Sequence, residues 1–314
     1  MATKRPRQAW HLSGTDFTQP RLYARQDWRF LLFFQFLRIS PSYALALDCE
    51  REQELAERLG SADRARKVWR TRCDMGDVFT VLFKDWWQAR GLSLFGIHTA
   101  KPRVVGIRRL RPNEDADERR KRVGAAYRRF VEGRYREQGN PDSVLISVPL
   151  GMKPALMVRQ LKQLLAAVQA EHPPELPVAA YALEENKLRE ARLLACLRLI
   201  YKRSARPDEE LWRAAARAKI SETHVVDPLA KKKDAKSAEA RRMLTIMASR
   251  LSRDALMIAE NAAAGKFPSM EVVAHAQPFD FPTLGQRLKV MSAWEKKRKK
   301  ELAQSAAPKV EAEH

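Results

Sequence analysis

The sequence predicts a mostly helical α+β protein, and three observations support this class. Apolar residues make up 45% and aromatic residues 8% of the 314 residues, enough to build a sizeable core. Beyond about residue 185, apolar positions recur every three or four residues, which is the period of helices packed on one side. Residues 144–148, Val-Leu-Ile-Ser-Val, are the clearest strand, and a helix-like segment follows them, so the middle of the chain is predicted to be a small β–α unit.

The first hundred residues are rich in aromatic residues and predict the largest hydrophobic core. They hold five of the seven tryptophans. Residues 27–37 predict a buried helix or strand, and residues 43–59 predict a helix that ends at Gly60. Trp86 and Trp87 are assigned to the core and not to base stacking, because no alternating basic residues flank them.

The middle of the chain predicts a basic helix and then the β–α unit. Residues 101–136 contain thirteen basic and five acidic residues and are interpreted as an extended connector followed by a helix. Acidic residues come first in that helix and basic residues later, which suits the helix dipole. Both a solvated helix face and a phosphate-contacting surface fit this pattern. A helix over about 154–170 is predicted to follow the strand, and prolines at 173, 174 and 177 mark a boundary.

The largest local excess of positive charge lies in the C-terminal half. Residues 187–253 hold eighteen basic and eight acidic residues, a net of +10 out of +21 for the whole chain. An amphipathic helix is predicted around Leu193–Tyr201, and a long helix over about 240–262 that ends at Gly265. Residues 294–314 predict a frayed helix and a disordered basic tail.

Residues 215–226 resemble the centre of a helix-turn-helix. Small Ala215 would allow two helices to cross closely, and Ser221 would cap a recognition helix. Lys219 stands where glycine is favoured in the turn, and Pro228 would stop the recognition helix about two turns after Ser221. A plain helical hairpin is the alternative interpretation.

The excess of positive charge predicts a polyanionic partner, with duplex DNA favoured and RNA as the alternative. Side chains near the turn are predicted to approach bases or phosphates, and the lysine loop and long helix to contact the backbone. The predicted nucleic-acid-binding residues are Arg192, Lys202, Arg203, Arg213, Arg217, Lys219, Ser221, Lys231, Lys232, Lys233, Arg241, Arg242 and Arg253. The aromatic N-terminal region is a candidate surface for a protein partner.

Neither a cofactor nor a metal site is predicted. Three cysteines lack CxxC spacing, the six histidines form no HExxH pair, and no glycine-rich nucleotide loop is present. A nuclease-like pattern of Pro141-Asp142 with Glu185-Asn186-Lys187 is the best enzymatic candidate, but sequence context opposes it, because such acids usually come from adjacent strands. No membrane anchor or secretory signal is predicted, so a cytoplasmic or nucleoid-associated protein is expected.

Two N-terminal segments carry a family resemblance. Residues 36–44, Phe-Leu-Arg-Ile-Ser-Pro-Ser-Tyr-Ala, and residues 76–87, with Gly76-Asp77 and Trp86-Trp87, resemble motifs in uncharacterised bacterial mobile-element proteins. The resemblance covers about the first hundred residues. It implies a plasmid, phage or genomic-island protein and brings no activity with it.

The shifts in composition predict five regions and one function. The regions are an aromatic-rich domain at 1–100, a basic connector and helix at 101–140, a strand-loop-helix unit at 141–177, a basic helical nucleic-acid-binding module at 185–265 and a C-terminal extension at 266–314. The predicted function is a DNA-binding regulator or accessory factor of a bacterial mobile element. An RNA-binding structural subunit of a ribonucleoprotein or defence complex is the alternative, and a metal-dependent nuclease is the weakest of the three.

Overall fold

The chain forms two compact units that are mostly helical. The computed structural model describes residues 15–173, 177–185, 188–229 and 235–306. Residues 26–94 and 181–306 belong to the first unit, and residues 16–25 and 95–180 to the second. Helices dominate the described residues and one two-stranded sheet accompanies them, which confirms the coarse class, α+β and mostly helical.

The N-terminal part of the first unit is a series of short helices. They are α1 (Arg29–Ile39), α2 (Pro41–Asp48), α3 (Glu52–Leu59), α4 (Ala62–Met75), α5 (Phe83–Trp86) and α6 (Leu92–Phe95), with a π-helical turn at Trp87–Gly91. The prediction of a single helix over residues 43–59 is therefore wrong. Cys49, which is buried, and Arg51 both adopt extended backbone and divide the segment into α2 and α3. Gly60, with φ +66°, ends α3 as predicted.

Helix α1 forms the centre of the first unit's core. Every residue from Phe30 to Ile39 is buried, so this segment is a fully enclosed helix and not a strand. Phe34 packs against Trp86 with ring centroids 5.0 Å apart, and Phe30 packs against Trp87 at 4.8 Å. The core assignment of both tryptophans is confirmed, since their exposed fractions are 2% and 0%.

The two segments that carry the mobile-element resemblance contact each other. Buried Arg38 donates to the carbonyl oxygens of Val78 at 2.7 Å and Val81 at 2.9 Å. The hydroxyl of Tyr43 donates to the carbonyl oxygen of Gly76 at 2.5 Å, and burial raises the pKa of that hydroxyl. Arg38 and Tyr43 of the first motif therefore hold the backbone of the second motif in place, which is a structural role.

The second unit contains a small sheet and two helices. Strands β1 (Thr18–Gln19) and β2 (Leu22–Tyr23) pair antiparallel, and the helices are α7 (Ala116–Phe130), extended by a π-helical turn at Val131–Tyr135, and α8 (Pro154–Glu171). The helix predicted over 154–170 is confirmed. The strand predicted at residues 144–148 is wrong: these residues pair with no described strand, and Leu145 is 65% exposed, so neither a ladder nor a buried face stabilises them.

Four more helices complete the first unit. They are α9 (Glu190–Ser204), α10 (Leu211–Ala218), α11 (Ala235–Ala263) and α12 (Phe281–Ala306). Helix α11 packs against α1, α2, α4, α9 and α10, and it ends before Gly265, which has φ +82°. The helix predicted from residue 294 is present as far as Ala306 and carries an i,i+4 ion pair of 3.6 Å between Glu295 and Lys299, while the predicted tail after it lies outside the described residues.

A buried carboxylate joins three elements of the first unit. Glu260 on α11 is 0% exposed and accepts hydrogen bonds from the Ser40 hydroxyl at 2.8 Å and from the Ser42 amide at 3.0 Å. It also forms an ion pair with Arg64 of α4. The junction between α1 and α2 and the helix α4 are therefore bound to α11 through one side chain.

Candidate nucleic-acid interface

Helix α9 has a buried apolar side and an exposed basic side. Leu193, Leu197 and Ile200 are 0% exposed, which confirms the predicted apolar stripe. On the opposite side, Lys202 is exposed and forms no ion pair with any described residue. Arg198, one turn earlier, is also exposed and forms no ion pair with a described residue; it was missed, although it lies four residues before Lys202 on the same side of the helix.

The other two predicted binding residues of α9 are engaged within the protein. Arg192 forms an ion pair with Asp254 of α11. The guanidinium of Arg203 lies 4.0 Å from the centroid of the Phe281 ring, and burial lowers the pKa of this arginine. Both side chains join α9 to neighbouring helices. The geometry of Arg192 and Arg203 therefore does not favour the phosphate contacts that were predicted for them.

The arginines of α10 do not point away from the protein. Arg217 pairs with Glu209 at 3.0 Å, and this hydrogen bond holds the pKa of Glu209 below its usual range. Arg213 pairs with Glu210 at 3.2 Å, lies over the Trp212 ring and donates to the carbonyl oxygen of Pro228. Groups of the same unit engage Nε and Nη1 of Arg213 and Nε and Nη2 of Arg217, so the geometry does not favour the predicted approach of these two side chains to bases.

A recognition helix does not follow α10. Residues 220–229 form bends and a turn, so the helix predicted to begin at Ser221 is wrong over this stretch. Ser221 accepts from the amide of His224 at 3.1 Å, and Asp227 accepts from the amide of Leu229 at 2.9 Å, which makes two local turns. Val226 is buried in the small core around α10, where Ala215 is 0% exposed. The close packing predicted for Ala215 is therefore present, although the predicted recognition helix is not.

Lys219 takes the left-handed conformation that a glycine favours at the end of a helix. Its φ is +51° and its ψ is +52°, and its side chain is exposed without an ion pair to a described residue. Glycine is the residue favoured at this position of the predicted turn, and the backbone conformation of Lys219 agrees with that preference.

Lys219→Gly is expected to raise the free energy of unfolding by about 0.5 kcal/mol. Relief of a left-handed L-residue, which costs about 1–2 kcal/mol, exceeds the added chain entropy of about 0.4–1 kcal/mol. Urea unfolding of the purified protein measures the change. Lys202→Gly, within α9, is the control and is expected to lower stability by about 1 kcal/mol. A destabilised Lys219→Gly variant would contradict the assignment.

Helix α11 exposes a row of basic side chains. Arg242 and Arg253 are exposed and form no ion pair with described residues, and Ile246 and Ser249 lie between them on the same side at 100° per residue. Arg250 lies beside this row, is exposed and has no ion pair within the described ranges; it was missed. Arg241 differs, because its guanidinium lies 4.7 Å from the centroid of the Trp212 ring and joins α11 to α10.

Two other predicted features can be placed less completely. Lys231, Lys232 and Lys233 lie outside the described residues, as do Asn186 and Lys187 of the nuclease-like pattern.

Helix α12 also has a basic side. Lys289, Lys296 and Lys300 are exposed on the side opposite the buried Leu284, Leu288 and Met291.

Five exposed cations therefore form the candidate interface, here called the free-cation set: Arg198, Lys202, Arg242, Arg250 and Arg253. Arginine and lysine in this state can bind phosphate oxygens directly.

The described residues hold no group of three histidine, cysteine, aspartate or glutamate side chains that could bind a metal ion. Trp86 and Trp87, which belong to the aromatic N-terminal region, are enclosed in the core and contribute little to its surface.

No single helix in the described ranges is long and apolar enough to cross a membrane, although α1 and α2, bent by 66°, pass a length and composition test as a pair.

In comparisons with known proteins, no family model, curated protein or solved structure matches the chain.

Proposed function

We propose that the protein binds duplex nucleic acid, DNA in preference to RNA, through the free-cation set on α9 and α11. The contacts are made to the sugar–phosphate backbone. A chain of net charge +21 repels itself when folded, and a polyanion relieves that repulsion while releasing its own condensed counterions. The protein fits the role of an accessory factor of a bacterial mobile element, in keeping with the resemblance of its N-terminal motifs.

The unpaired state of the free-cation set is the observation that carries this proposal. Arg192, Arg213 and Arg217 each meet a carboxylate of the same unit, and Arg203 meets an aromatic ring. The five members of the set meet no described carboxylate, although each is exposed. A basic side chain that the fold does not use is available for a phosphate.

The absence of a helix over residues 220–229 supports backbone binding over base recognition. Direct reading of sequence usually needs a helix or ribbon in the major groove. Arg213 and Arg217, the predicted base contacts, are engaged by glutamates instead. This favours an accessory factor with little sequence preference over a sequence-specific regulator.

Replacing Arg242, Arg250 and Arg253 together by glutamine is expected to weaken duplex binding by about tenfold or more at 0.1 M salt. The slope of log affinity against log salt is expected to become shallower by about 2.7, since each lost phosphate contact removes about 0.9. The measurement is equilibrium titration of labelled duplex DNA, single-stranded DNA and structured RNA over a salt series. The same series on the wild-type protein gives its order of preference.

The matched control replaces three exposed cations of the first unit that lie outside α9 and α11, Arg51, Arg66 and Lys84, by glutamine; Arg66 has only a long ion pair of 3.9 Å, with Glu52. Both triple variants lose the same net charge, so a general charge effect would weaken them equally. Equal weakening of duplex binding in the two variants would refute the assignment of the binding site to the free-cation set. Failure of the wild-type protein to bind any nucleic acid at low salt would refute the function, and a preference for structured RNA would favour a ribonucleoprotein subunit.

A further inference from the structure

The second unit contains a long segment with no buried residue. From Ile97 to Ala180, every described residue is exposed or partly exposed, and neither α7 nor α8 buries a side chain. Burial of apolar surface is the main source of folding free energy, so this segment gains little from its own core. A ligand that binds here would supply stabilising contacts that the unit lacks.

The N-terminal end of α7 neutralises its own acidic residues. Asp115 caps the helix by accepting from the amides of Asp117 at 2.8 Å and Glu118 at 3.1 Å, and these bonds lower its pKa. Glu114 pairs with Arg122 at 2.8 Å, and Asp117 pairs with Arg120 at 2.7 Å. The carboxylates of this turn are thus largely satisfied by groups of the same helix.

Five other basic side chains, on α7, in its π-helical turn or directly after that turn, form no ion pair with a described residue. This α7 basic set consists of Lys121, Arg128, Arg129, Arg134 and Arg136, all exposed and without an ion pair to a described residue. Lys121 and Arg128 lie two turns apart on one side of the helix, and Arg129 is next to them. At 1.5 Å per residue the set extends over roughly 20 Å, the length of about six base pairs.

We infer that the α7 basic set is a second binding site for the sugar–phosphate backbone of nucleic acid, separate in sequence and in structural unit from the free-cation set. The inference rests on the proposed function for the identity of the polyanion. Charge decides the occupant: the five exposed cations outnumber the exposed carboxylates of Glu118 and Glu132 on the same segment, and this excess of positive charge complements the phosphates of a nucleic acid. Backbone contacts of this kind position a duplex without reading its sequence.

Hydrogen–deuterium exchange of the full-length protein, with and without a 20-base-pair duplex at low salt, tests the site. Amides of a helix without buried side chains exchange readily, so peptides covering residues 116–137 should take up deuterium quickly in the free protein. Bound duplex is expected to reduce that early uptake by half or more. Unchanged uptake in these peptides, with protection of residues 235–263, would overturn the second site and leave the proposed function standing.

A pair of matched variants separates direct contact from an indirect effect. Lys121, Arg128 and Arg129 are replaced by glutamine in one, and Lys153, Arg159 and Lys162, exposed residues at α8 of the same unit, in the other. In the first variant, the slope of log affinity against log salt concentration is expected to become shallower by about 2.7. The second variant is expected to keep the wild-type slope. Equal slopes in the two variants would overturn the site, whereas loss of all binding by wild-type protein would refute the proposed function itself.

Discussion

Glu260→Ala is expected to lower the free energy of unfolding by about 3–5 kcal/mol, the usual cost of removing one partner from a buried ion pair. The side chain of Arg64 is only 8% exposed and that of Glu260 is 0% exposed. Alanine would leave the Arg64 guanidinium buried beside Ser42 without a carboxylate. Burial limits the water that could solvate this charge, so the loss exceeds that of a surface pair. Urea unfolding followed by tryptophan fluorescence measures the change.

Two further variants make the Glu260 result interpretable. Glu239→Ala removes an exposed carboxylate from the same helix and is expected to change stability by no more than about 0.5 kcal/mol. Arg64→Met combined with Glu260→Met removes both charges and is expected to recover most of the lost stability, because the desolvation cost disappears with the pair. A loss below about 1 kcal/mol in Glu260→Ala would show that the ion pair does not join these elements.

The importance of Glu260 could not be predicted from the sequence. The helical period identified the face of α11 that contains Ala255, Ile258 and Ala262, and all three are buried. Glu260 lies away from that face, where the period predicts solvent. It is buried because α1, α2 and α4 enclose the end of α11, and its partner Arg64 is 196 residues away in the sequence. Periodicity describes one helix and carries no information about what surrounds it.

The same limit explains the strand that was wrongly predicted. Residues 144–148 have the composition of a buried strand, but a strand exists only when another segment supplies its hydrogen bonds. Helices satisfy their own backbone groups, so α8 and α11 could be predicted from local pattern and end signals alone. Local sequence therefore predicted helices better than it predicted pairing.

The candidate interface was predicted only in part for a related reason. Sequence locates basic residues, and it gives no direct measure of which ones the fold will occupy. Glu210 lies three residues before Arg213, so that pair could have been anticipated from helical spacing. The stacking of Arg203 on Phe281 and the pairing of Arg192 with Asp254 join distant segments and carried no local signal. Arg198 and Arg250 were overlooked although they share the spacing of the residues that were chosen.

Gly285→Ala is expected to lower the free energy of unfolding by about 2–3 kcal/mol, although the same change usually stabilises a helix. Gly285 lies in the first turns of α12, where the helix crosses the end of α9. A β-carbon at this position would lie 2.1 Å from the carbonyl oxygen of Ser204. That atom belongs to the backbone, so it cannot rotate away, and the two helices would have to separate. Separation would also expose Leu284 and Leu288, each 8% exposed.

Gly124→Ala is the matched control for this crossing. Gly124 is also helical, in α7, and a β-carbon there would meet no atom within 4 Å. Alanine is therefore expected to raise stability by about 0.5–1 kcal/mol through its helix propensity and the lower entropy of the unfolded chain. Thermal and urea unfolding of both variants measures the two signs. Opposite signs would show that close approach of α12 to α9, and not helix propensity, requires glycine at position 285; a stabilised Gly285→Ala variant would mean that the helices do not cross there.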